Sequence, residues 1–481
     1  MSSKSFQNAS KLNGIVSVLE FGADPTGVAD SSAAITAALA AGNSIEFPWG
    51  IYKCKDIVAG TTKSLYCNGS IFKPAAGANW TIKLTGFRPQ IFDAYFDGGL
   101  ADPIPNDGQH AALMVGDDAL NCEFFTIQNC MWVNHNVCLY IGGSNTFTAS
   151  KGFISQCQMI SYLSCGIIVA KNALDCFFTD INIRAQLQRN STNAYDIPRR
   201  NSIGFYHNAT GSTIGYGGHL LNSVTCLNSE LGFKLTDSQL VSLENCIADG
   251  LCGSGYQVGT TVGGASNHIN FSNCFAGTCK VGYEIVGNSL YISLIAPTTK
   301  FTGQIPPWSG SEYFLTSGIY AAPRDLYFGA GSNVAVSGWN SFGTSAFSYF
   351  FAGTISISET QGISLGSAAT VAAASTVYLT ASGALATELL PFVAPKRGII
   401  YNLTAQCGTA PGAGQSFAYT VRKNSADQGT AATITGAGVF VGSSDLITEF
   451  AQGDNITLKL VTSATAATAN HRVSLKVAYF G

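Results

Sequence analysis

Between Gly166 and Ile285 one short pattern returns: glycine, an aromatic or aliphatic residue, any residue, then an aliphatic one. It reads Gly166-Ile167-Ile168-Val169, Gly204-Phe205-Tyr206-His207, Gly232-Phe233-Lys234-Leu235, Gly255-Tyr256-Gln257-Val258 and Gly282-Tyr283-Glu284-Ile285, with His207 the odd member. The glycines are spaced by 38, 28, 23 and 27 residues. A second pattern interleaves with it: apolar, x, apolar, x, Asn, Cys. Phe125–Cys130, Val241–Cys246 and Ile269–Cys274 carry it, and looser copies run through Cys157, Ile181 and Cys226. Period-two alternation separated by Gly, Asn and Ser marks short strands, each turning alternate residues inward. One such unit cannot bury its own apolar face, but units stacked about 4.8 Å apart can, which predicts a parallel β-helix. In that arrangement Asn129, Asn245 and Asn273 stack at one corner as a hydrogen-bonded ladder. Cys130, Cys246 and Cys274 stack inside. The repeated glycines are expected at tight corners, where φ is positive.

After about residue 361 the pattern changes. Longer alternating segments appear, among them Thr376–Leu379, Gly398–Tyr401, Phe417–Val421, Ile456–Leu460 and Val473–Val477, in an Ala/Thr/Gly-rich background. Turn-rich stretches separate them, as in an antiparallel sandwich or jelly roll. Residues 301–360, rich in aromatics such as Trp308, Tyr313, Tyr320, Tyr327 and Trp339, are expected to form a connector that packs between subunits.

At the start, Asp30 or Ser31 can cap a helix with its body at Ala33–Ala41, followed by a strand at Ile45–Phe47 and a turn at Pro48–Gly50. Phe21-Gly22-Ala23-Asp24, Gly27, Asp30, Ala34-Ile35, Phe47-Pro48, Gly50 and Tyr52 resemble the opening motif of the pectate-lyase-like superfamily, which begins the β-helix of many bacteriophage tailspikes. Trp49 and Pro25-Thr26 depart from the usual motif without threatening the fold. The resemblance implies an all-β chain: a right-handed parallel β-helix with an N-terminal capping helix, then a C-terminal antiparallel β-sandwich. The expected division is an arm at 1–15, the β-helix at 16–300, the connector at 301–360 and the sandwich at 361–481. In this motif Asp24 and Asp30 are expected to be structural. Tailspikes are usually homotrimers that bind and cleave a bacterial surface polysaccharide, so the resemblance implies that partner, other phage tail proteins, and a place in the virion after assembly in the host cytoplasm. The segments Thr420–Asn424 and Ala451–Asp454 are similar to C-terminal modules of phage tail proteins that hold trimers or bind glycans. Few residues precede the motif, so any virion-attachment part is expected to be minimal.

Composition narrows the classes. Charged residues are 11% of the chain, against about 25% usually, and 25 basic residues meet 28 acidic ones. A basic stripe for nucleic acid is not expected. No run of 18 apolar residues exists, so no membrane insertion is expected. No secretory signal is visible and none of the 14 cysteines sits in a C-x-x-C pair, so they read as buried thiols assembled in a reducing compartment, with a disulfide framework as the alternative. No cofactor or metal is expected.

Candidate chemistry lies on the few charges. The 38-residue spacing after Gly166 holds a long polar loop with Arg184, Arg189, Tyr195, Asp196, Arg199 and Arg200. Arginines there suit an acidic sugar, and Tyr206, His207 and Lys234 complete the expected substrate-binding set. Aligning the units through Cys226 and Cys246 puts Glu230 and Asp249 at one corner of adjacent coils, roughly 5 to 8 Å apart. That separation suits the paired carboxylates of glycoside hydrolysis, one with a raised pKa. Asp180, Asp196, Asp237, Glu244 and Glu284 are the alternatives. The sequence thus points first to a hydrolytic tailspike depolymerase of capsule or O-antigen. A polysaccharide lyase with an Arg, Lys, Tyr or His base, or a non-catalytic receptor-binding fibre, are the rivals.

Overall fold

The computed structural model describes residues 14–99, 101–116, 120–142, 147–189, 195–212, 217–259, 266–300, 324–337, 340–341, 349–351, 354–357, 360–367, 369–380, 383–385, 388, 391–443 and 448–479. Two compact units divide the chain, one of residues 1–336 with 341–356, the other of 337–340 with 357–481.

The first unit is a parallel β-helix whose coils lay down three faces. Face one stacks Gln90–Phe92 on Thr126–Gln128 and Phe153–Ser155, and later Gln239–Glu244 on Asn267–Ser272 and Leu290–Ile295. Face two stacks Ile71–Pro74, Tyr95–Asp97, Met131–Val133 and Gln158–Tyr162, and later Ile247–Asp249 and Phe275–Ala276. Two long strands, Phe177–Ala185 and His219–Leu227, run through both faces. Face three runs from Ile57–Ala59 through Ile82–Leu84, Leu113–Val115, Val137–Ile141, Cys165–Val169, Ile203–Asn208, Leu231–Thr236 and Ser254–Val258 to Val281–Ile285. Arg324–Phe328 then pairs in parallel with Val281–Ile285. Coiling therefore continues past residue 300 into the segment expected as a connector, because the inward alternation of Leu326 and Phe328 persists there. Trp308, Tyr313, Tyr320 and Trp339 lie outside the described residues.

Faces one and two meet at a corner where one residue per coil is left-handed. Asp93, Asn129, Gln156, Asp180, Ser223, Asn245 and Asn273 hold φ of 52–57°. Asn and Asp tolerate this region best among residues with a Cβ, which explains the Asn-Cys pattern. The expected asparagine column thus exists, but its side-chain bonds are local: Asn129 Nδ2 donates to Asp93 (2.5 Å) and Asn245 Nδ2 to Asn222 (3.4 Å). Directly after the corner, Cys130, Cys157, Cys246 and Cys274 turn inward, and all 14 cysteines are buried free thiols. Burial pushes most of their thiols above the ordinary range, Cys122, Cys176 and Cys252 to about 12.

The repeat glycines correct the expectation made for them. Gly166, Gly204, Gly232, Gly255 and Gly282 sit within face-three strands and are not left-handed. Their requirement is space. A Cβ on Gly232 would lie 2.6 Å from the Gly255 carbonyl oxygen and 2.9 Å from the Ala248 Cβ, and one on Gly255 would lie 2.8 Å from the Gly282 oxygen and 3.0 Å from the Ala276 Cβ. Face three thus presses against small residues of face two in the later coils. The large rings change sides accordingly. Early coils stack Phe72, Phe96 and Trp132 on face two, with Phe96 and Trp132 5.4 Å apart. Later coils stack Phe233, Tyr256 and Tyr283 on face three, 4.9 and 4.8 Å apart. The core stays filled while its bulk moves from one wall to the other.

Helix α1 (Ser32–Ala41) buries Ile35, Ala38 and Leu39 against the first strands of faces one and three. Asp30 Oδ1 accepts the Ser32 amide (2.9 Å) at its start. Asp24 gathers Thr26 Oγ1 and the amides of Thr26, Val28 and Ala29. Led by the Thr26 hydroxyl, these bonds hold its carboxyl at about 2. Both aspartates therefore shape the turn before the helix.

The described strands of the second unit pair into one antiparallel sheet, where two facing sheets of a sandwich were expected, with a core including Phe417, Tyr419, Leu458, Leu460, Val473 and Leu475. All five segments read from sequence fall in its strands: Thr376–Thr380, Gly398–Cys407, Gly412–Lys423, Asn455–Thr462 and His471–Tyr479. The two tail-module-like segments meet here. Asn424, left-handed with Ser425 in a two-residue hairpin turn, donates to Asp454 (2.7 Å) and accepts the Asn455 amide (2.9 Å).

Candidate functional site

The carboxylates expected to pair do not stack. After the left-handed corner residue Ser223, Val224 rather than Cys226 takes the cysteine position, since Ile181 registers with Val224 and Cys226 with Ala248. The sequence alignment was therefore two residues out of step. Asp249 registers with Leu227, and Leu227 with Arg184, all at the outward end of face two. Asp249 Oδ1 accepts the Gly250 amide (2.7 Å). Glu230 lies on the next corner, where its amide donates to Ser202 O (3.1 Å) and its carbonyl accepts Gly253 N (3.0 Å). Its carboxylate accepts the Asn201 amide (2.8 Å).

The alternatives are dispersed. Asp237, left-handed after a face-three strand, accepts Thr210 Oγ1 (2.7 Å). Glu244 is half-buried in register with Asn222 and Ser272. Glu284 is 1% exposed and is bound by Ser254 and Gln257. Asp180 is exposed at the corner of faces one and two. There it lines a cleft of about 790 Å³ with Tyr66, Phe92, Gln128, Gln156 and Asn182.

The long loop leaves the coil as a small antiparallel excursion, Gln188–Arg189 against Tyr195–Ile197. The side chains of Tyr195 and Asp196 lie outside the described residues. Arg199 fastens the base of the excursion, donating from Nε to Gln186 O (2.9 Å) and from Nη2 to Gln186 Oε1 (2.8 Å). The Arg200 amide donates to Gln188 Oε1 (3.0 Å). Arg184 and Arg189 are exposed. His207 is a correction: it points into the core, fully buried, its ring 4.7 Å from that of His219. Burial holds both imidazoles below their ordinary range, His219 at about 4.

Tyr206 and Lys234 do come together, on the outside of face three. In each Gly-x-x-x strand the second residue faces in and the third faces out, so one outward column runs Lys83, Met114, Tyr140, Ile168, Tyr206, Lys234. Lys234 Nζ sits 5.2 Å above the Tyr206 ring. From Lys83 to Tyr206 the column floors a cleft of about 900 Å³, and Lys234 stands beyond its lining. Trp80, with Lys83 Nζ 3.9 Å from its ring centre, lies toward one end, and Lys171, Asn201 and Asn208 form other parts of the wall. The segment Asp107–His110 closes another side. The chain just before this segment is anchored at Asp102 and Ile104. Asp102, whose side chain is fully buried, accepts the Asn136 amide (2.8 Å) and faces His135 Nδ1 (3.3 Å), while Asn136 Nδ2 donates to Ile104 O (2.9 Å).

Rings, amides and cations on a rigid floor suit a sugar chain that carries negative charge. Burial raises the Tyr206 phenol and keeps it protonated. Trp80, Lys83, Tyr140, Lys171, Asp107 and His110 were missed in the sequence. The third position of the repeat would have given Tyr140, through its register with Ile168. Asp107 and His110 reach the cleft on a non-repeating loop that leaves no periodic signal.

No family model matches the sequence, and no curated protein matches it. Among solved structures, the chain is similar to the tailspike protein gp49 of Acinetobacter baumannii bacteriophage Fri1, a capsular polysaccharide depolymerase. That likeness has 9% identity and a TM-score of 0.42, and covers 97% of this chain and 86% of that one. It is also similar to an endo-xylogalacturonan hydrolase from Aspergillus tubingensis, at 15% identity and a TM-score of 0.41 over 72% of this chain and 91% of that one. A third likeness is to the catalytic unit of a GH87 alpha-1,3-glucanase from Streptomyces thermodiastaticus, at 10% identity and a TM-score of 0.44 over 72% of this chain and 68% of that one.

Proposed function

We propose that this protein is a bacteriophage tailspike that binds and depolymerises a bacterial surface polysaccharide, capsule or O-antigen, in the cleft on face three. The observation that carries the reading is the cleft itself: about 900 Å³, open along a stacked sheet, with aromatic rings, amides and two lysines on its walls. A homotrimer mounted with other tail proteins, assembled in the host cytoplasm and acting outside the cell, is the setting in which such a cleft meets its glycan.

Two chemistries make different demands. Hydrolysis uses two carboxyl groups roughly 5–9.5 Å apart. Among the described residues lining the cleft, Asp107 is the single carboxylate, so hydrolysis there needs a second one from outside that lining. That observation favours β-elimination next to a uronate, for which Lys83, Lys171, Tyr206 and His110 supply positive charge and proton carriers. Incubation of the purified chain with host capsule or lipopolysaccharide, followed by sizing of the glycan, tests the proposal. Shortened polymer is expected; unchanged length on a glycan shown to bind removes the enzymatic reading and leaves a receptor-binding fibre. Rising absorbance in the unsaturated-uronate band marks elimination, and new reducing ends without it mark hydrolysis. Glu230→Gln and Asp249→Asn keep activity if the face-three cleft is the site, and abolish it if the pair is catalytic.

A further inference from the structure

We infer that His110 is the proton-abstracting group of the face-three cleft, that Asp107 positions it, and that the substrate is an acidic glycan linked through O4 of a uronate. This rests on the depolymerase reading above and adds the residue, the substrate class and the step.

The geometry is specific. His110 Nδ1 lies 2.7 Å from Asp107 Oδ2. Asp107 Oδ1 accepts the backbone amides of Gln109 (2.8 Å) and His110 (3.1 Å), which fixes the carboxylate against the turn. A carboxylate on Nδ1 selects the tautomer with its proton there and leaves the Nε2 lone pair as an acceptor. Burial works against the charged form of Asp107, yet the bonds from Gln109 and His110 outweigh it and hold its pKa below the ordinary value. The carboxylate is therefore ionised at neutral pH, and it stabilises the imidazolium formed on proton uptake. His110 is followed by the buried pair Ala111-Ala112 and then a face-three strand, and the loop before it is pinned through Asp102 and Asn136. The Asp107 carboxylate orients the His110 ring at the rim of the cleft before any ligand arrives. Among the described residues, the other titratable groups lining the cleft are Lys83, Tyr140, Lys171, Tyr206 and Cys165, whose thiol is pushed up by burial.

In the step, His110 Nε2 takes the C5 hydrogen of the uronate as a proton. The C5–H electron pair becomes the C4–C5 double bond, and the C4–O4 bond breaks with its pair going to O4. The Tyr206 phenol protonates the departing O4, and the imidazolium returns a proton to the phenolate through solvent. The lysines offset the uronate carboxylate as negative charge develops on it.

The full chain is assayed on polygalacturonate, alginate and hyaluronan, each a polymer with uronates substituted at O4. Binding is measured separately from unsaturated product. Cleavage of at least one polymer is expected. His110→Gln should lower that rate on the order of 100-fold or more, as loss of a general base does, with affinity changed less than twofold. Asp107→Asn should lower it on the order of 10- to 100-fold and move the alkaline-rising limb of the pH–rate profile, a shift that a merely structural residue would not cause. Diethyl pyrocarbonate should modify His110 more slowly in Asp107→Asn, with exposed His268 unchanged as the internal standard. His110→Gln retaining its rate within threefold overturns the assignment of the base and leaves the depolymerase reading intact. A wild-type chain that binds one of the polymers without shortening it overturns both. Binding to none of the three overturns the acidic, O4-linked class.

Discussion

Replacing Gly232 by alanine tests the packing rule that shapes the later coils. The added Cβ would stand 2.6 Å from the Gly255 carbonyl oxygen, 2.9 Å from the Ala248 Cβ and 3.1 Å from Leu251 Cδ1. Carbon atoms pack comfortably at about 3.5–4.0 Å, so the overlap with Ala248 is more than half an ångström. Neither principal neighbour can step aside. The Gly255 carbonyl belongs to the adjacent face-three strand, and alanine has no rotamer to change. Overpacking of this kind costs about 1–3 kcal/mol, and the entropy that alanine removes from the unfolded chain offsets about 0.4–1 kcal/mol. A net loss of about 1.3 kcal/mol is expected, which is roughly a tenfold change in an equilibrium or a rate. Unfolding of a long stacked solenoid is best followed as a rate, because refolding competes with aggregation. The assay is unfolding in guanidinium monitored by far-ultraviolet circular dichroism, with Gly60→Ala as the control. Gly60 has open space around its Cβ position and is not left-handed, so alanine there should be neutral or stabilising. Adding Ala248→Gly to the Gly232 variant should recover part of the loss, since the carbonyl overlap remains. Unfolding of Gly232→Ala no faster than of Gly60→Ala would refute the close approach of faces two and three.

Three further outcomes are expected. His207 lies between Val169 and Leu235 on the inner side of face three, and neither of its ring nitrogens has a partner among the described residues. Its folded-state pKa is depressed by burial, so stability is full above the unfolded value of 6.5 and falls as pH drops below it; His207→Leu should raise the melting temperature more at pH 5 than at pH 8. Asp24, held at about 2 against an ordinary 3.8, contributes stability present above about pH 4 and lost as pH falls toward 2; hydrogen exchange of residues 24–41 should show that acid limb in the wild type and not in Asp24→Asn. Tyr206→Ala should weaken glycan binding about tenfold, a loss of ~1.4 kcal/mol, measured by calorimetry on any polymer the wild type binds.

The architecture was legible because it repeats. Alternation and the Asn-Cys spacing specify which side chains turn inward, and a stack of like units then has one way to bury them. The five strands of the C-terminal sheet were legible for the same reason of period two. The candidate site was legible only where it rides on the repeat. Tyr206 and Lys234 occupy its third position, and stacking brought them together. The pairing of Glu230 with Asp249 failed because register is a property of the ladder. Cys226 looks like the cysteine of its neighbours, but Ser223 takes the left-handed corner and shifts the count by two. In sequence the arginines of the long loop suit an acidic sugar, whereas the fold uses Arg199 to close the base of the excursion. Asp107 and His110 lie outside every period, on a loop whose Asp102 is anchored by Asn136 from the next coil. By itself the sequence determined the coil, its inward residues and the near-neutral surface, because local alternation and burial suffice for those. Only the tertiary structure decided which outward side chains share a cleft and why the repeat glycines are glycines, because both depend on distances between coils and between faces.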